Sequence, residues 1–151
     1  MAARIVLAAG ALAACGVGAA AGPAGQGGQA GELGSTPPLG PGTVTVELGV
    51  AHSAFTGGDV RVVAGTTVRF VLDNGDPIGH ELIVGPPEVH ARHATGHEAS
   101  HPPVPGEVSV GPNGRAETTY TFDEPGTVEY ACHLPGHYAY GMHGEIAVVP
   151  A

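Results

Sequence analysis

The chain runs to 151 residues, enough for one ordinary domain once a leader and a linker are set aside, and its 26 Gly, 14 Pro and lack of Trp suit a turn-rich all-β domain better than a helical bundle. Fourteen acidic residues against five arginines and no lysine give a net charge of −9 with histidine neutral, which repels phosphate backbones and rules against nucleic acid as a partner. Nine histidines in so short a chain direct attention to metal chemistry, because imidazole is the commonest metal ligand among side chains.

Residues 1–14 read as an export signal: a short basic start carrying Arg4, then an apolar run from Ile5 to Ala14 that is too short to span a bilayer as a helix. The run ends Leu12-Ala13-Ala14-Cys15, which resembles the bacterial lipobox. That resemblance implies cleavage before Cys15 and lipidation of Cys15, with several acyl chains giving stable anchorage where one gives marginal binding. The alternative is an ordinary secretory signal cut at a small-residue site such as Ala19 to Ala21. Removal of the leader takes Arg4 with it and moves the charge from −9 to −10. Residues 15–42 continue as a lipidated cysteine and a tether of Gly, Ala, Pro and Gln, with too little large apolar surface to offset the entropy of ordering it.

From residue 43 to 151 the pattern changes to period two, the mark of half-buried strands. Val44, Val46, Leu48 and Val50 share one face; Val60 and Val62 follow, then Val68, Phe70 and Leu72, then His80, Leu82 and Val84. Beyond an irregular stretch come Val108 and Val110, a turn at Asn113-Gly114, then Ala116, Thr118, Tyr120 and Phe122, then Val128, Tyr130 and Cys132, and last Ile146 and Val148. The expected fold is an all-β Greek-key sandwich of seven or eight strands. The interruption, Pro86 to Pro105, sets His90, His93, His97 and His101 at spacings of three, four and four, which is helical spacing on one face. Two readings stand for it: a secondary copper or zinc site or loading patch, or a solvated polar loop.

The stretch from Cys132 through His133-Leu134-Pro135-Gly136-His137 to Met142 offers a thiolate, an imidazole and a thioether within eleven residues. Strand phase turns Cys132 inward at the end of its strand, where a loop brings His137 and Met142 round to the same point. His80, in phase with Leu82 and Val84, faces inward too. Two His and one Cys in a trigonal set with a weak axial Met is the arrangement of one-electron copper sites, because soft sulfur suits Cu(I) while imidazole retains Cu(II). His52, His133 and His143 read as bystanders, with His133 pointing away from the copper and at most on an electron exit path.

This segment resembles the carboxy-terminal ligand loop of the plastocyanin, azurin and rusticyanin family of cupredoxins, and its Cys-x4-His-x4-Met spacing is most like rusticyanin. The segment Gly79-His80-Glu81-Leu82-Ile83-Val84 resembles the upstream strand that supplies the family's other histidine. The resemblance implies one copper ion with His80, Cys132 and His137 as equatorial ligands and Met142 as the axial one. Position 81 departs from the pattern: plastocyanins and azurins commonly place there an Asn that hydrogen-bonds across to the cysteine loop, and loss of that tie is the expectation for Glu81.

Two functions follow as expectations. One is a bacterial extracytoplasmic electron carrier, held to the outer face of the cell membrane by lipid (or periplasmic) and passing electrons between redox partner proteins of a membrane chain. The other is copper tolerance or storage outside the cytoplasm, motivated by the His-rich insertion. Only Met1 and Met142 are methionine, fewer thioethers than a dedicated Cu(I) scavenger calls for. Catalysis is not expected: related multicopper oxidases and copper nitrite reductases repeat this domain and add His-ligated coppers between domains, whereas this chain has one domain and no His-x-His pair.

Overall fold

The computed structural model describes residues 37–95 and 103–151 of the chain. The expected leader at 1–14, Cys15, most of the 15–42 tether, His97 and His101 lie outside the described residues.

Alternating patterns become strands wherever they were expected. In chain order these are β1 (Gly42–Ala51), β2 (Ala54–Thr56), β3 (Val60–Val63), β4 (Thr66–Asn74), β5 (His80–Gly85), β6 (Glu107–Val110), β7 (Arg115–Phe122), β8 (Gly126–Ala131) and β9 (His143–Val149). Eight correspond to the alternating runs of the sequence. The additional strand is β2, whose three residues are too few to alternate visibly and which forms by pairing with the end of β1, Val50 opposite Phe55.

The strands build two sheets, in the orders β2-β1-β4-β7 and β3-β9-β8-β5-β6. Pairs β1/β4 and β3/β9 are parallel and the other pairs antiparallel, so the chain passes repeatedly from one sheet to the other. Both sheets turn their alternate residues inward. Val68, Phe70 and Leu72 from β4 and Phe122 from β7 meet Leu82 and Val84 from β5, Val108 from β6 and Ile146 from β9 in one core. Each such side chain contributes about 1.5–3 kcal/mol by leaving water. The outward residues of β4 behave oppositely: Arg69 pairs with Glu117 of β7 across the exposed face.

Strand β5 is the exception to alternation, since all six of its residues are buried. Its second face is covered by helix α1 (Pro87–Ala94), which opens with Pro87 in its first turn and carries Glu88 there, both favourable at a helix start. The close approach requires Gly85, where a Cβ would sit 3.3 Å from the Val89 side chain. The chain rejoins the sheet at Gly106, which adopts φ +85° and has no room for a Cβ, 2.6 Å from the Val84 carbonyl oxygen. The His-rich stretch is thus helical over His90 and His93, and both are buried rather than displayed to solvent.

Candidate metal centre

His80 opens β5, and Cys132 follows the last residue of β8; the two strands pair directly, Ile83 opposite Ala131. One end of the second sheet therefore carries both residues. The loop from Cys132 to Met142 closes on itself through backbone bonds: the His137 N–H donates to Leu134 at 2.9 Å, Met142 N–H to His137 at 3.0 Å and Cys132 N–H to Met142 at 3.0 Å. A 3-10 turn (Tyr138–Tyr140) fills the middle and ends on Gly141, whose φ of 93° lets the chain reverse into Met142 and β9. These ties bring the backbone of His137 and Met142 back to Cys132.

His80 Nδ1/Nε2, Cys132 Sγ and His137 Nδ1/Nε2 supply one ligand atom each, all within 4.8 Å of one another, and the Cys132 Sγ to His137 Nδ1 distance is 3.2 Å. The two imidazole rings stand 4.9 Å apart. His80, Cys132 and Met142 are fully buried, while His137 is partly open to solvent. The Met142 side chain lies in the same core cluster as Cys132 and Tyr130.

Two groups that sequence reasoning missed or misjudged fix this arrangement. Asp76, four residues before His80, places Oδ2 3.1 Å from His80 Nε2 and accepts the backbone N–H groups of His52 and Ser53 at 2.8 Å each. A carboxylate that only accepts forces Nε2 to carry the proton, so neutral His80 presents Nδ1 as a bare lone pair. That Nδ1 is buried and has no partner among the described residues, which fits a copper ion bonded to it together with Cys132 and His137. The Ser53 and His52 amides hold the Asp76 carboxyl below the usual carboxylate range against the opposing effect of burial, with His80 adding to them.

Glu81 is the second group. The expected loss of the tie across to the cysteine loop does not occur, since Glu81 Oε1 accepts the His133 backbone N–H at 2.8 Å. A carboxylate replaces the amide and performs the same bridging. No signal in the sequence marked Asp76, because an Asn-Gly-Asp run is ordinary turn chemistry.

Burial pushes the Cys132 thiol up to about 11, although backbone N–H groups of Glu81 and Leu134 favour the thiolate. Burial lowers His137, with the adjacent His80 adding to the effect, which favours the neutral ring, whose one unprotonated nitrogen can bind metal. The ligand set is thus a protonated thiol with neutral imidazole beside it, and metal uptake exchanges a proton for the ion.

Of the insertion histidines, the two that are described, His90 and His93, do not join this cluster. His93 Nε2 lies 2.9 Å from Glu107 Oε2, and Arg92 pairs with the other oxygen of the same carboxylate. His90 turns to His133, Nδ1 to Nε2 at 2.9 Å. His133 points away from Cys132 as expected, yet it is enclosed: it stacks on Tyr138 at 5.2 Å, and Tyr138 stacks on His143 at 4.6 Å. Burial, with His90 and His93 nearby, pushes the His133 imidazolium down to about 4.

Comparison with known proteins agrees with the geometry. Residues 43–149 match the family described as copper binding proteins, plastocyanin/azurin family. A copper-resistant cuproprotein of Rubrivivax gelatinosus is 34% identical over 97 residues, a match covering 62% of this chain and 59% of that protein's length. A protein of the same description from Pseudomonas aeruginosa is 30% identical over 139 residues, covering 70% of this chain and 76% of its own. Among solved structures, dithionite-reduced auracyanin from the photosynthetic bacterium Roseiflexus castenholzii superposes with a TM-score of 0.59 at 26% identity, over 70% of this chain and 97% of that one.

Proposed function

The chain belongs to the plastocyanin/azurin family of copper-binding proteins, and on that footing we propose that it is an extracytoplasmic cuproprotein of copper tolerance, in which His80, Cys132, His137 and Met142 would hold one copper ion. The observation that carries the copper site is the buried, partnerless His80 Nδ1 in a cluster with the Cys132 thiol and His137. The tolerance role is supported by the two copper-resistant cuproproteins that resemble the chain. Copper supplies one-electron cycling between Cu(I) and Cu(II) and a strong bond to thiolate. The protein's own part is to hold soft sulfur and neutral imidazole at fixed positions, with Asp76 orienting one ring and Glu81 the cysteine loop.

Electron transfer to redox partners of a membrane chain is the second reading, favoured by the hydrogen-bonded ligand loop, which limits rearrangement between oxidation states. Export through residues 1–14 and anchorage through Cys15 belong to the same proposal, as does the absence of catalysis by this chain alone, for which the lack of a His-x-His pair argues.

The test is genetic and spectroscopic. Deletion of the gene should lower the copper concentration that cells survive, with rescue by the wild-type chain and none by Cys132→Ser, and the purified protein should show an intense thiolate-to-Cu(II) band at one equivalent. Unchanged tolerance with impaired respiration would replace tolerance by electron transfer. Absence of the band would remove the copper site itself.

A further inference from the structure

His90 and His133 come from separate elements, helix α1 and the residue after Cys132, yet their nitrogens approach to 2.9 Å. His90 Nε2 lies 3.2 Å from the carbonyl oxygens of both Gly85 and Glu129. Carbonyls only accept, so Nε2 carries the proton and Nδ1 of neutral His90 is a lone pair aimed at His133. A backbone carbonyl on the far nitrogen is how proteins orient a metal-binding imidazole. His133 is equally constrained: its amide is held by Glu81, and its ring lies nearly parallel to Tyr138, at 11°.

We propose that His90 and His133 form a second metal site, for a divalent imidazole-seeking cation and Cu(II) foremost, separate from the thiolate centre. Two imidazole nitrogens bonded to one ion at ~2.0 Å and at right angles lie ~2.8 Å apart, close to the spacing these rings already have. Imidazole suits Cu(II) and Zn(II), and Cu(II) binds nitrogen sites more tightly. The ion replaces the proton shared between the rings but lies to one side of the line joining the two nitrogens, so the rings turn to direct their lone pairs at it. That proton leaves His133 Nε2 and the neutral ring carries one on Nδ1 instead, so no net proton is released. A groove of about 520 Å³, lined by both histidines with Ala94, Pro135 and Tyr138, gives the ion access and room for the water molecules that complete its coordination.

The pairing revises the sequence expectation, which grouped His90 with His93, His97 and His101. His93 is committed to Glu107, and the partner of His90 comes from the metal-ligand loop instead. The choice of ion rests on the copper-handling reading; the geometry of the pair does not.

The test is titration of the purified chain with aqueous Cu(II), followed by absorption and electron paramagnetic resonance. The first equivalent develops the thiolate band. The second adds a spectrum with nitrogen hyperfine structure and no further thiolate absorption, and His90→Gln and His133→Gln each weaken it at least tenfold. The thiolate band of His90→Gln reports that the fold is intact. The proposal is overturned if no second equivalent binds, if it binds equally well to both variants, or if it is lost only in a His97→Gln/His101→Gln protein. Failure of the thiolate band alone counts against the first site and leaves the second to be read from its own signal.

Discussion

Loading the thiolate site must expel a proton, and the amount follows from the burial of Cys132. With its thiol held at about 11, the apoprotein at pH 8 carries thiolate in only roughly one molecule in a thousand, so each bound Cu(II) displaces close to one proton. Apparent affinity should then rise about tenfold for each unit of pH, or roughly a hundredfold between pH 7.5 and 9.5. His137 adds nothing in this window, because burial places it below the ordinary imidazole value of ~6.5. The assay is competition against a chelator of known proton affinity, followed by the thiolate band, with proton release counted by an indicator in weak buffer. A Cys132→Ser variant should bind more weakly and lose the slope. Affinity independent of pH, or no released proton, would show that the buried thiol is not what the ion displaces.

In the copper-free protein the same thiol sets an alkaline limit. Its folded value lies above the unfolded 9.0, so the unfolded chain loses the proton first and stability falls as pH climbs from 9.0 to about 11. The loss totals about 3 kcal/mol; urea unfolding of wild type against Cys132→Ser isolates it from the tyrosines, and parallel pH curves would refute it. Asp76→Asn removes the carboxylate that orients His80 and should weaken metal binding ~10- to 100-fold while raising the reduction potential, since a lost negative charge disfavours Cu(II) more than Cu(I). Redox titration checks this, and an unchanged potential with lowered apo stability would confine Asp76 to the turn at His52 and Ser53. Glu81→Ala strands the His133 N–H and should cost about 1–3 kcal/mol in denaturant unfolding, whereas Glu81→Gln retains an acceptor and should cost less; equal losses would point to charge instead of the hydrogen bond.

Strand positions were readable because alternating apolar residues mark the face that packs into the core; β2 shows no such pattern and β5 is buried on both faces. The two departures have physical causes. Strand β2 is defined by its neighbour and not by its own pattern. Strand β5 is covered on both faces, so only the His80, Leu82, Val84 phase was visible, while Glu81 on the other face read as a departure from the family's Asn with its tie to the cysteine loop lost. Cys132, His137 and Met142 were legible because rare ligand types at short spacing constrain one another. Their supports were not: Asp76 is an ordinary member of an Asn-Gly-Asp turn, and Glu81 stood out as a departure from the family's Asn, but the sequence does not show that its carboxylate still reaches the His133 N–H. His90 and His93 were correctly placed on a helix, but periodicity cannot say which way a helical face turns, and this one turns inward.

The burial of the ligands also bears on how tolerance and electron transfer could share one site. His80, Cys132 and Met142 are sealed, His80 from behind by Asp76, and His137 is the partly open member of the set. An electron can pass through the edge of His137 without disturbing the loop. An ion needs more room: Sγ and His80 Nδ1 are buried, and His137 is the ring that can swing aside while its backbone bonds to Leu134 and Met142 hold the loop. On the proposed tolerance role, a centre so buried would favour holding copper once bound, and the second site proposed at His90 and His133 lies outside it, beside a groove.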